Sequence, residues 1–140
     1  MLLIKTKLSA SSIHGAGLFA EEFIQKGSRI WEFREGWDKV FTQDELNSFD
    51  ESTREFLNIY CYRYKGQYYL GTDNDRFFNH SGSPNCANAI DETVLGGGYT
   101  TALQDIYPGE ELTCDYTSFG YDEEDHAFNL GWLAEIEQKV

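Results

Sequence analysis

Residues 76–85 read Arg-Phe-Phe-Asn-His-Ser-Gly-Ser-Pro-Asn, and residues 109–116 read Gly-Glu-Glu-Leu-Thr-Cys-Asp-Tyr. The first stretch sets Asn79, His80 and Asn85 beside the apolar pair Phe77-Phe78 and a Pro turn. Taken alone, it is either an ordinary loop whose polar side chains satisfy local backbone groups, or a loop that reads the edge of a polar ligand. The second stretch is a short apolar strand, opened by the Pro108-Gly109 turn and closed by Tyr116. A tyrosine there offers a hydroxyl where the chain turns polar, able to align or polarise a reacting amine. In a chain with nine tyrosines it is also a plain core or surface aromatic.

Upstream, His14-Gly15-Ala16-Gly17 spaces two glycines two apart. Such a pair permits unusual backbone angles and lets main chain approach a ligand closely. It is no dinucleotide fingerprint, because no third glycine and no helix follow. Around these segments the pattern is of short strands. Residues 2–8, 28–33, 67–70, 86–90, 99–105 and 111–114 read as strands, and the aromatic run 59–64 is β-rich. Lys26-Gly27 and Lys65-Gly66 read as turns, and Gly96-Gly97-Gly98 joins two strands. Two short helices are expected near 43–48 and 51–58, where Thr42…Glu45 and Ser52…Glu55 have capping-box spacing. A further short helix is expected from about 128, with Leu130, Leu133 and Ile136 on one side. Many strands and little helix make a mostly β domain.

The 140 residues suit one domain. No window approaches the roughly 18 apolar residues of a membrane span, and the start, Met1 to Lys5, is too short for a secretory signal. A soluble, intracellular protein is expected. Cys61, Cys86 and Cys114 stand far apart without a CxxC pair, which argues for buried thiols rather than disulfides or structural zinc. The net charge of −13 is unevenly placed: ten of eleven Lys and Arg lie at or before Arg76, while twelve Asp and Glu follow it. Such a surface repels phosphate backbones, so direct nucleic-acid binding is not expected. It would attract a lysine-rich segment, although plain solubility explains the charge equally well.

In combination the motifs say more. GxG, then RFxNHSxxPN about sixty residues on, then GEELTxDY, resembles the SET-domain family of protein lysine methyltransferases, from about Ile4 to Tyr116. Gly17-Leu18-Phe19-Ala20, Ile24-Gln25-Lys26-Gly27 and Ala102 to Ile106 match as well. The resemblance implies small curved sheets of β-clip type with a C-terminal pseudoknot and a short helical insert. One SET domain would then fill 1–140, with its core at about 4–117 and a cap segment at 118–140. It further implies that Gly15, Ala16 and Gly17 line an S-adenosylmethionine site through their backbone, and that Asn79 and His80 hold the cofactor. Arg76 and Phe77 look like supports of that loop. Tyr116 matches the active-site tyrosine. Tyr60 is expected as a second wall of the lysine channel, with Tyr62 the competing choice and core packing the alternative for both. The expected partner is a lysine-containing basic protein, a histone or another. Free lysine titrates near pH 10.4, so shedding its proton at neutral pH costs roughly 4–5 kcal/mol. An apolar channel and a neighbouring sulfonium both lower that cost.

Two departures from the family pattern matter. Many members end in a cysteine-rich zinc cluster that closes the site, but Gly82 stands at its loop position and no cysteine follows Cys114. No zinc is expected, and Phe119, Tyr121, Phe128 and Trp132 are the aromatics available for a cap. Cys114, two before Tyr116, is smaller than the family's usual Tyr or Phe, so a roomier pocket and multiple methylation are expected. The alternative is a non-catalytic module that keeps the fold as an interaction surface. No residue pattern fixes the oligomeric state; a dimer is compatible with it.

Overall fold

The computed structural model describes residues 1–138, with side chains through residue 131. In chain order the strands begin β1 (Thr6–Ala10), β2 (Ala16–Ala20), β3 (Arg29–Glu32) and β4 (Lys39–Phe41). Two helices follow, α1 (Gln43–Ser48) and α2 (Glu51–Tyr60). Then come β5 (Tyr62–Tyr64), β6 (Gln67–Leu70), β7 (Asn79–His80), β8 (Cys86–Ile90), β9 (Gly98–Ala102) and β10 (Thr113–Cys114), before α3 (Glu123–Gln138). The strands form four small sheets: β1-β2, β3-β9-β8, β4-β6-β5 and the parallel pair β7-β10. The mostly β architecture of small sheets with a short helical insert, expected from the sequence, is the one observed.

Local chemistry explains most boundaries. Thr42 and Glu45 close the expected capping box on α1. The second box does not form: Asp50, not Ser52, caps α2 by accepting from the Thr53 N–H at 2.8 Å. The helix also runs further than expected. Phe56 and Tyr60, one turn apart, bring their rings to 4.8 Å, so Tyr60 ends a helix instead of starting a strand. At the β5–β6 hairpin both Lys65 (φ 48°) and Gly66 (φ 74°) are left-handed, as a two-residue primed turn requires. The segment expected as one strand over 2–8 is divided between partners. The Leu3 N–H donates to Ile30 O and Leu2 bridges Trp31, while β1 starts only at Thr6, opposite Ala20.

The 111–114 segment is likewise shared. Glu111 and Leu112 pair with β2, and only Thr113 and Cys114 pair with β7. The C-terminal stretch is thereby held between two elements far apart in sequence. Asn85 fastens it, donating to Glu111 O at 2.7 Å and accepting from the Thr113 N–H at 2.9 Å. The largest apolar cluster lies beneath: Leu18, Ile24, Ile30, Ile106 and Leu112, with Cys86 among them. All three cysteines are free and buried. Helix α3 begins five residues earlier than expected and turns Phe128 towards Tyr68, with rings 5.0 Å apart, while Leu130 is exposed. Leu133, Ile136 and the cap aromatic Trp132 lie outside the described side chains.

Gly17 illustrates how tight this junction is. A Cβ there would stand 2.1 Å from Glu111 Oε1, and that carboxylate is fixed by Ser11 Oγ at 2.8 Å and Asn79 Nδ2 at 2.8 Å. Gly17→Ala is therefore expected to lose about 1–3 kcal/mol, as overpacked sites do, measured by urea unfolding. A midpoint unchanged from the parent chain would contradict this account of the junction.

Candidate active site

The loop after β1, the start of β2, β7 and β10 converge because Asn79 pulls them together. Its buried Nδ2 lies 3.0 Å from His14 O, 3.3 Å from Ala16 O and 2.8 Å from Glu111 Oε1. Beside this junction opens a cavity of about 390 Å³, within the size range of small-molecule sites. Gly15, Ala16, Asn79, Cys114 and Tyr116 line it, and so do both Tyr60 and Tyr62. Gly17 and His80 do not. Gly17 packs against Glu111, and His80 stands behind Tyr116, its Nδ1 accepting from the Tyr116 N–H at 3.1 Å.

Tyr116 lies two residues beyond β10, the first residue of a short helical turn, Tyr116–Ser118, capped by Asp115. Its hydroxyl donates to Phe78 O, the carbonyl immediately before Asn79. Burial pushes the Tyr116 phenol far above its ordinary range. Burial acts likewise on Tyr62, whose hydroxyl donates to Gly96 O at 3.0 Å. Both are therefore neutral donors near pH 7. Gly96 and Gly97 let the β8–β9 turn close onto the wall, since Cβ atoms there would lie 2.9 Å from Tyr62 Oη and 2.8 Å from the Tyr64 ring. Cys114 is buried in the wall, two before Tyr116, and its thiol is also raised by burial. Among the described residues, Phe119 is the cap aromatic that lines the cavity, its ring 6.2 Å from those of Tyr62 and Tyr116. Tyr121 is exposed and packs on Tyr64 instead.

Four buried polar atoms have no partner among the described residues: Trp31 Nε1, Tyr64 Oη, Asp75 Oδ1 and Arg76 Nε. All four residues line this cavity. Buried polar groups left unsatisfied cost about 1–3 kcal/mol each, so their concentration around one cavity suits a ligand carrying several polar groups. Arg76, expected only as a support, sits with its guanidinium 5.3–5.7 Å over Phe56, Tyr60 and Phe77. The sequence reading missed Trp31, Tyr64 and Asp75 because nothing nearby in the chain marks them. It could not see Phe78 O at all, since that group is main chain.

Asp75 has an unusual environment. Desolvation, reinforced by the neighbouring Asp73 carboxylate, pushes its carboxyl up to about 8. Burial opposes ionisation of Asp73 too, but hydrogen bonds involving Asp75 and the Leu2 N–H hold it below the ordinary value. The native state thus keeps a proton on Asp75 that the unfolded chain releases near pH 4. Between those values the native state binds more protons, so stability falls as pH rises from about 4 to about 8. Asp75→Asn, which preserves a donor towards Asp73, should remove this slope and melt higher than the parent at pH 8. Parallel melting-temperature profiles for the two chains between pH 4.5 and 8 would refute the assignment.

The family model described as SET domain matches residues 15–117. The chain is 29% identical over 127 residues to a candidate histone-lysine N-methyltransferase 1 of Plasmodium falciparum, covering 86% of this chain and 2% of that protein. It is 30% identical over 132 residues to the histone-lysine N-methyltransferase trr of Drosophila melanogaster, covering 85% of this chain and 5% of that one. The chain thus spans a small part of both relatives. Among solved structures it resembles a candidate histone methyltransferase of Plasmodium falciparum, with TM-score 0.58 and 22% identity, covering 87% of this chain and 96% of that one. It also resembles a humanized mutant of the Chaetomium thermophilum Polycomb Repressive Complex 2, with TM-score 0.63 and 25% identity, covering 83% and 15%.

Proposed function

The chain belongs to the SET-domain family, and from that premise we propose that it transfers methyl groups from S-adenosylmethionine to lysine side chains of a basic protein. The observation that carries this reading is the meeting, in one cavity wall, of the 14–16 loop, Asn79 and the Tyr116 hydroxyl. The names of the histone-lysine methyltransferase relatives support it, and histones are one class of lysine-rich target. The acidic second half of the chain complements any such target. We assign residues 1–140 to a single SET domain, with 118–140 as its cap.

The fit to the methyl donor rests on chemistry. S-adenosylmethionine carries an ammonium, a carboxylate, a ribose and a purine, and the cavity offers the orphaned groups of Trp31, Tyr64, Asp75 and Arg76 besides main chain at Gly15 and Ala16. When bound it supplies a methyl group on a positively charged sulfur. Gly15 (φ 48°) gives the loop a turn that other residues rarely adopt. Asn79 sets the position of that loop, while Gly17 and His80 work one layer behind, through Glu111 and the Tyr116 backbone. The aromatic walls, Tyr60, Tyr62 and Phe119, exclude water and disfavour the charged form of an entering lysine. Tyr116, neutral and tied to Phe78 O, orients the amine; a phenol so hard to ionise does not serve as the base.

Incubation with labelled S-adenosylmethionine and a panel of basic proteins tests the reading. Label should reach lysine in at least one of them, and Tyr116→Phe should lower transfer by at least about 100-fold, as loss of a positioned polar group does. Tight cofactor binding without transfer to any protein would instead favour a binding module. The small Cys114 side chain in the wall leaves room beside the amine, so mass spectrometry of a good substrate should find di- or trimethyl-lysine. Cys114→Tyr should shift product towards monomethyl-lysine; a parent chain that stops at one methyl group would rule out the roomy pocket.

A further inference from the structure

Strand β5 is the edge of its sheet, and alternation sends its side chains to opposite faces. Tyr62 and Tyr64 line the cavity, whereas Arg63 between them points to α3. There two fully buried polar residues of α3 receive it. The Asn129 carboxamide acts as a neighbouring strand would: its Oδ1 accepts from the Arg63 N–H at 2.8 Å and its Nδ2 donates to Arg63 O at 3.0 Å. The Asp125 carboxylate accepts from Arg63 Nη1 at 2.7 Å, the Lys65 N–H at 2.7 Å and the Gly66 N–H at 3.3 Å. Its fourth donor is the Tyr121 N–H at 3.1 Å, in the segment that leaves the cavity. A buried carboxylate is tolerable only with such complete pairing. The other acidic partners of Arg63, Asp122 and Glu124, are exposed and count for little.

We infer that Asp125 and Asn129 are positioning residues that latch residues 118–121 against the cavity by clasping the outer face of β5. The latch ties the cap to the strand that carries two of the cavity's tyrosines, and Ser118, Phe119 and Gly120 complete the wall between. Cap and wall are thus fixed by one polar cluster, which does the closing work expected of a cap without metal-ligating cysteines. In its link to the methyl donor the inference rests on the function proposed above; the latch itself does not.

Thiol labelling separates the two. Cys114 lies in the cavity wall, whereas Cys86 lies in the apolar core and does not line the cavity. Asn129→Asp keeps the size and the acceptor but turns a carboxylate oxygen on Arg63 O; Asp125→Ala removes the other half of the clasp. In both variants of the full chain, iodoacetamide should modify Cys114 at least about tenfold faster relative to Cys86 than in the parent, the scale of a lost buried hydrogen-bond pair. Calorimetry should show S-adenosylmethionine binding weakened by a similar factor, and added cofactor should slow Cys114 labelling in the parent. Unchanged Cys114 labelling, or equal acceleration of Cys86, would overturn the latch. Faster Cys114 labelling with unchanged cofactor affinity would overturn its link to the cavity. A parent chain without affinity for the cofactor would defeat the proposed function, leaving the labelling ratio to decide the latch.

Discussion

The arrangement depends on one half-buried carboxylate. Glu111 accepts from Ser11 Oγ and Asn79 Nδ2, and the Gly17 backbone is pressed against it. Its own main chain pairs with β2 and is gripped by Asn85. Three segments separated by tens of residues thus share one acid. Because the buried Asn79 carboxamide bonds at once to the 14–16 loop and to Glu111, the segments are held as one polar network. The cavity is a consequence. The loop, Asn79 and Tyr116 border it because the elements carrying them are tied at this point.

The short motifs announced this junction well, and the reason is physical. Asn79, Asn85, Glu111 and the glycines sit where main chain from different elements meets, so each needs a particular donor, acceptor or absence of a side chain. Such demands leave a local trace in the sequence. What surrounds them leaves less. Trp31, Tyr64 and Asp75 reach the cavity from strands and turns whose patterns say only that they are partly buried. Tyr60 and Tyr62 were hard to separate because a run of alternating aromatics fits strand and helix alike; the Phe56–Tyr60 contact decided for helix up to Tyr60. Both nevertheless reach the cavity. Helix α3 begins before its apolar pattern because its first turns attach through polar groups: Asp125 and Asn129 face the body of the protein beside Phe128. Hydrophobic periodicity is blind to that kind of contact.

The polar attachment of α3 also says something about where rigidity is kept. An apolar helix face can slide or roll at modest cost, whereas Asp125 has four donors at fixed positions and Asn129 matches both main-chain groups of one residue, Arg63. Such a contact is either made in one register or lost. It suits a segment that holds Phe119 at a set distance from Tyr62 and Tyr116.

The hydroxyls of the cavity point to a division of labour. Desolvation keeps Tyr116 and Tyr62 protonated, and each donates its proton to a backbone carbonyl, Phe78 O and Gly96 O, which no side-chain change removes. A phenol held this way turns its oxygen lone pairs, not its proton, towards whatever approaches. That is the polarity an amine with N–H bonds to donate can use, and one that discriminates against a carboxylate or phosphate. Under the proposed function, that polarity is what would let Tyr116 orient an amine without serving as its base.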